Sequence, residues 1–104
     1  MIKSIVIKGE KYKVKMADGA KIDASGDCDF ETKTIRIAKG MGAKLTIETL
    51  YHEVGHAILF EVALNEVLSS DVQEIIVENF AREFVKHFVD VKSLQGHIDE
   101  QIDR

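Results

Sequence analysis

A chain of 104 residues with 45% hydrophobic content is enough for one domain with one modest core. Its formal net charge of −4, with both signs interspersed, argues against nucleic-acid binding as the main task. The single cysteine, Cys28, excludes an internal disulfide and suits a reducing, cytoplasmic setting. No apolar run nears the roughly 18 residues that a membrane span needs, and no signal-peptide pattern is present, so no membrane partner is expected.

The first forty residues read as β structure. Ile5, Val6 and Ile7 form a short apolar run, and Lys8-Gly9-Glu10-Lys11 is a tight-turn pattern. Tyr12, Val14 and Met16 then alternate with Lys11, Lys13 and Lys15, the period of a half-buried strand. Asp18-Gly19 marks a turn, and residues 20–27 read as a loop or ragged strand. A further strand is expected over 30–37, clearest at Thr34-Ile35-Arg36-Ile37. Lys39-Gly40-Met41-Gly42 ends it.

The second half reads as helix. One helix is predicted over 45–63, with its cap near Thr46, and a connection over 64–69. A second is predicted over 70–91, opened by Ser70 with Gln73 three residues on as a capping box. Its expected apolar stripe holds Ile76, Val77, Phe80, Ala81, Phe84 and Phe88. Gly96 should interrupt the tail, leaving residues 97–104 as a short frayed helix. The fold class is therefore α+β: one domain over residues 1–104, a small antiparallel sheet packed on two long helices.

Within the first predicted helix, His52-Glu53-Val54-Gly55-His56 spells H-E-x-x-H. Residues four apart on a helix share a face, so two imidazoles at that spacing can hold one Zn²⁺. Glu53 then projects beside the metal, where it can take a proton from water without being a ligand. The apolar flanks 45–51 and 58–60 supply the helix the motif needs. The bland alternative is two surface histidines on an amphipathic helix.

A catalytic zinc site wants a third protein ligand. Glu78 and Glu74 both fall on the flank of the second helix's apolar stripe. An unpaired carboxylate there needs a cation. His87 lies about half a turn from Glu78, beside Ile76 and Phe80. His97 falls beyond the expected break, and Cys28, between Asp27 and Asp29, is a weaker candidate.

The run 49–57 followed by Val77-Glu78-Asn79-Phe80-Ala81 resembles the small gluzincin-type metallopeptidases. In that group a second helix carries a Glu ligand, often with Ala three residues later, as Glu78 and Ala81 stand here. The chain is also similar to phage-encoded, ImmA/IrrE-like minimal zincins, in which a β-hairpin region and an I-x-I strand precede the motif, as Ile35-Arg36-Ile37 does. It departs from them at Arg82, where that group often has Asn. The resemblance covers roughly residues 26–90. It implies zinc held by His52, His56 and Glu78.

The functional expectation is a zinc-dependent peptidase with Glu53 as general base, acting on a protein or peptide. The strand at 34–37, as a sheet edge, would hold an extended substrate. Tyr12 and His87 are the candidates for stabilising developing charge on the substrate oxygen; Tyr51 points away. The alternatives are a zinc-stabilised protein-binding module without turnover, and a metal-free fold in which the histidines are incidental.

Overall fold

Lysines at 11, 13 and 15 face solvent while Tyr12 and Val14 are buried, so the alternation read from the sequence becomes the pleat of a strand. The computed structural model describes residues 3–22 and 24–88. In it, β1 (Ser4–Ile7) pairs antiparallel with β2 (Glu10–Ala17). Lys8 and Gly9 form the turn with φ of 50° and 81°, the left-handed pair a two-residue hairpin requires. A four-residue helix, α1 (Gly19–Ile22), follows where a turn was expected. The strand expected at 30–37 is instead a hairpin: β3 (Gly26–Asp29), a turn at 30–33, and β4 (Thr34–Ala38). Asp29 shapes the turn, its Oδ1 accepting the amides of Glu31 and Thr32 at 2.9 and 3.2 Å.

The strand order is β1-β2-β4-β3. The expected antiparallel sheet is in fact mixed, because β2 and β4 run parallel, with Val14 opposite Ile35 and Met16 opposite Ile37. This arises because the chain between them makes α1 and β3 before returning as β4. The segment 34–37 is thereby interior, paired on both sides, and the open edge beside it is β3.

Two helices complete the α+β fold. The first, α2 (Ala43–Glu61), begins two residues before the expected start, with Gly42 at its N-cap. Thr46 lies inside the helix, donating its hydroxyl back to the Met41 carbonyl at 3.0 Å. One face of α2 sets Leu50, Val54 and Ala57 into the sheet against Ile7, Tyr12, Val14, Ile35 and Ile37. The second, α3 (Ser70–Phe88), packs on another face of α2. Its cap is Ser69, whose Oγ accepts the Val72 amide at 3.3 Å. Gln73 reaches back to the Leu68 carbonyl at 3.0 Å instead of closing a capping box. The expected limit at Val91, the break at Gly96 and the terminal helix lie outside the described residues.

The apolar stripe of α3 is buried on one side of its expected span, at Val77 and Ala81 as expected and at Val85 besides. Ile76 and Phe80 are 46% and 47% exposed. Gly55 explains the choice of face. A Cβ there would stand 2.8 Å from Cγ1 of Val77, so the missing side chain is what lets the Val77 row seat on α2.

Among the described residues no helix is long and apolar enough to cross a membrane.

Candidate metal centre

Because α2 lies between the sheet and α3, its polar residues occupy the seams of the fold. His52 and His56 stand one turn apart on the side facing α3, both partly buried. Their Nε2 atoms are 3.2 Å apart. Glu74, in the second turn of α3, closes the group. Its Oε2 is 3.2 Å from His52 Nε2 and its Oε1 is 2.8 Å from His56 Nε2. Each of the three residues offers a ligand atom, and these atoms lie within 4.8 Å of one another.

The donor set suits zinc. Ligands about 2.0–2.1 Å from a tetrahedral ion stand about 3.3 Å from each other, close to the separations here. Two imidazoles and one carboxylate would leave the fourth position of such an ion free, as catalytic sites do. Burial holds the His56 imidazole below its ordinary pKa despite the opposing pull of Glu74, which favours the neutral, ligating form.

The expected third ligand, Glu78, is not the one brought together with the histidines. It sits one turn beyond Glu74, its Oε1 accepting from the Arg82 guanidinium at 2.9 Å, with both side chains 57% exposed. Cys28 is also outside the group. It packs half-buried beside the core, and burial followed by the charge of Glu53 pushes its thiol up to about 12. His87 lies on the outer part of α3, 3.0 Å from Glu83. His97 lies outside the described residues.

Glu53 lines a cleft together with His52. It is 9% exposed and has no hydrogen-bond partner among the described residues, and the cleft has a volume of ≈ 440 Å³. Burial, then the charges of Glu74 and Asp27, push its carboxyl up to about 7. A carboxyl so placed can change protonation near neutrality.

The cleft runs from His52 and Glu53 toward the N-terminal half of α2. Leu45, Glu48 and Thr49 line it from α2, Ser25 and Gly26 from the sheet, and Glu78, Ala81 and Arg82 from α3. Gly26 sets its width at the sheet. A Cβ there would stand 2.6 Å from Thr49 Cγ2 and 2.9 Å from the Arg36 carbonyl oxygen. The two residues considered for oxyanion stabilisation stand elsewhere. Tyr12 is fully buried and gives its hydroxyl to Glu61, and neither it nor His87 lines the cleft. Tyr51 packs on the Phe84 ring at 4.8 Å. Ser25, Gly26 and Glu48 carry no motif signal. Only the helical offset of Glu48 from His52, four residues, could have marked one of them.

The chain matches no protein-family model, no curated protein and no solved structure.

Proposed function

We propose that this protein is a zinc-dependent peptidase of the small gluzincin kind, working in the cytoplasm. The observation that carries the reading is the convergence of His52, His56 and Glu74 within ligand distance of one another, beside a buried Glu53 that faces a cleft. His52, His56 and Glu74 would hold the ion. Bound there, zinc supplies Lewis acidity that polarises a carbonyl and acidifies water.

The chain's own residues supply the rest. Glu53 takes a proton from the attacking water and returns it to the leaving amine, a task matched to its raised pKa. Edge strand β3 offers the backbone groups that align an extended peptide along the cleft. Ser25, just before it, gives its carbonyl to the Ala38 amide at 2.8 Å. Ser25, Asp27 and Asp29 therefore turn their backbone groups toward β4, and Gly26 and Cys28 turn theirs to the open edge. This role passes to β3 from the 34–37 strand, which is interior.

The test is metal analysis together with peptide digestion. Purified protein should carry one zinc per chain, and the His52→Ala, His56→Ala double variant none. Glu53→Gln should keep zinc and fold while losing hydrolysis by roughly 10²–10⁴-fold, the usual worth of general base catalysis. Zinc retained by the double variant sinks the metal site. Wild-type inactivity across a broad peptide library shifts the reading to a zinc-stabilised binding module.

A further inference from the structure

Beyond the metal group, the cleft has a chemical character of its own. Glu48 stands one turn before His52 on the same face of α2, half-buried and lining the cleft. The other acid in that part of the cleft, Glu78, shares its charge with Arg82. Among the described residues no hydrogen bond or ion pair engages Glu48, and Lys44 one turn earlier does not reach it. A carboxylate that lines a cleft without an ion pair among the described residues is available to an incoming cation.

The walls around Glu48 are suited to a particular shape of cation. Leu45, 47% exposed, and Ala81 contribute apolar surface to the same cleft. A chain of methylenes can lie on such surface while its charged end reaches a carboxylate, the way lysine and arginine side chains bury their stems. The volume of ≈ 440 Å³ accommodates one such side chain with the adjoining peptide. One helical turn separates Glu48 from His52, about 5–6 Å between Cβ atoms. An extended peptide covers that in about two residues at 3.3 Å each.

We infer that the cleft selects peptides bearing a lysine or arginine within two residues of the bond to be cut, with Glu48 as the side chain that recognises the charge. The inference rests on the peptidase reading of the same site and names its substrate class.

The experiment reads binding and turnover separately. Labelled decapeptides carry a single Lys, Leu or Glu walked through the six central positions. They are titrated by fluorescence anisotropy against zinc-loaded Glu53→Gln protein. The Lys peptides should bind about two- to fivefold tighter than their Leu counterparts at the favoured position, the range for a solvated ion pair. Glu48→Gln in the same background should erase that preference. Glu48→Lys should reverse it toward the Glu peptides. Zinc content and Tm of each variant show that the fold is kept.

A Lys preference that survives Glu48→Gln, equal affinity for all three series, or no binding to any of them overturns the assignment. Wild-type turnover of the same peptides is followed in parallel. Glu48-dependent binding without cleavage sinks the peptidase reading and leaves the cation pocket standing. Cleavage indifferent to Lys does the opposite.

Discussion

Glu74 and Glu78 are the same residue type on the same helix, one turn apart, yet their surroundings give them different work. Glu74 points both oxygens at imidazoles, while Glu78 is held by Arg82 in solvent. Glu74→Gln should therefore weaken zinc binding by at least about 100-fold, more than the loss of a residue that only supports a ligand. Glu78→Gln should change it by no more than a few fold. Competition with a fluorescent zinc chelator measures both. The reverse order would return the ligand role to Glu78. The two histidines and Glu53 were legible in the sequence because their spacing lies within one helix, where the geometry is fixed. The third member of the group was not. Glu74 and Glu78 lie on one flank, and periodicity cannot say which turn of α3 crosses His52 and His56. The resemblance to gluzincins pointed to Glu78, one turn beyond the carboxylate that stands against the two imidazoles.

At the level of elements, the crossing of α2 and α3 decides that question, and Gly55 sets the crossing. The glycine lies inside the motif, between the two histidines, with Val77 directly above it. Gly55→Ala should force the helices apart, costing about 1–3 kcal/mol, as overpacking of a close contact does. It should also lower zinc affinity, since Glu74 rides on the turn before Val77. Pairing it with Val77→Ala should recover much of the affinity in urea-melt and zinc-titration experiments. A double variant no better than the single would mean that the contact does not govern the site. The same contact explains which part of the expected α3 stripe is buried. The α3 sequence carries two apolar rows, 72-76-80 and 77-81-85, and the expected stripe took in residues of both. The close approach admits the row of smaller residues. Strand β3 was hidden for a related reason. Gly-Asp-Cys-Asp has little strand propensity, and it is extended because β4 pairs with it. β1, β2, the Thr34-Ile35-Arg36-Ile37 strand and both long helices were readable because each carries its own periodicity.

Across the whole molecule, a second polar group ties the sheet to the far end of α2. Lys33, at the β3–β4 turn, is 2.6 Å from Glu61, and Tyr12 of β2 donates to the same carboxylate. The Lys33 ammonium lies 5.3 Å from the centroids of both the Tyr12 and Phe60 rings, and Phe30 stacks on Phe60 at 4.4 Å. Lys33, then the Tyr12 hydroxyl, hold the Glu61 carboxyl below its ordinary range. The unfolded chain thus binds a proton at Glu61 more readily than the folded one. The stabilisation is complete above the ordinary carboxylate pKa and is lost as pH falls through the depressed folded value. Urea unfolding should show wild type more stable than Glu61→Gln by a constant margin from pH 7 down to about 5, with the margin narrowing below about pH 4. A margin that is the same at pH 3 and pH 7 would show that the charge at Glu61 contributes nothing.

The open edge of β3 also bears on how the protein behaves at high concentration. A row of unsatisfied backbone groups that can align a peptide can equally align the same strand of another molecule, the first step toward sheet-to-sheet aggregation. β3 is only four residues long, and two of them are aspartates. Asp27 is anchored by the Arg36 guanidinium, and Asp29 is exposed at the strand end. Two copies meeting edge to edge would bring these like charges together, whereas a peptide with a basic side chain would meet them favourably. The strand is thus guarded against a second copy of itself while its edge stays open to a basic chain.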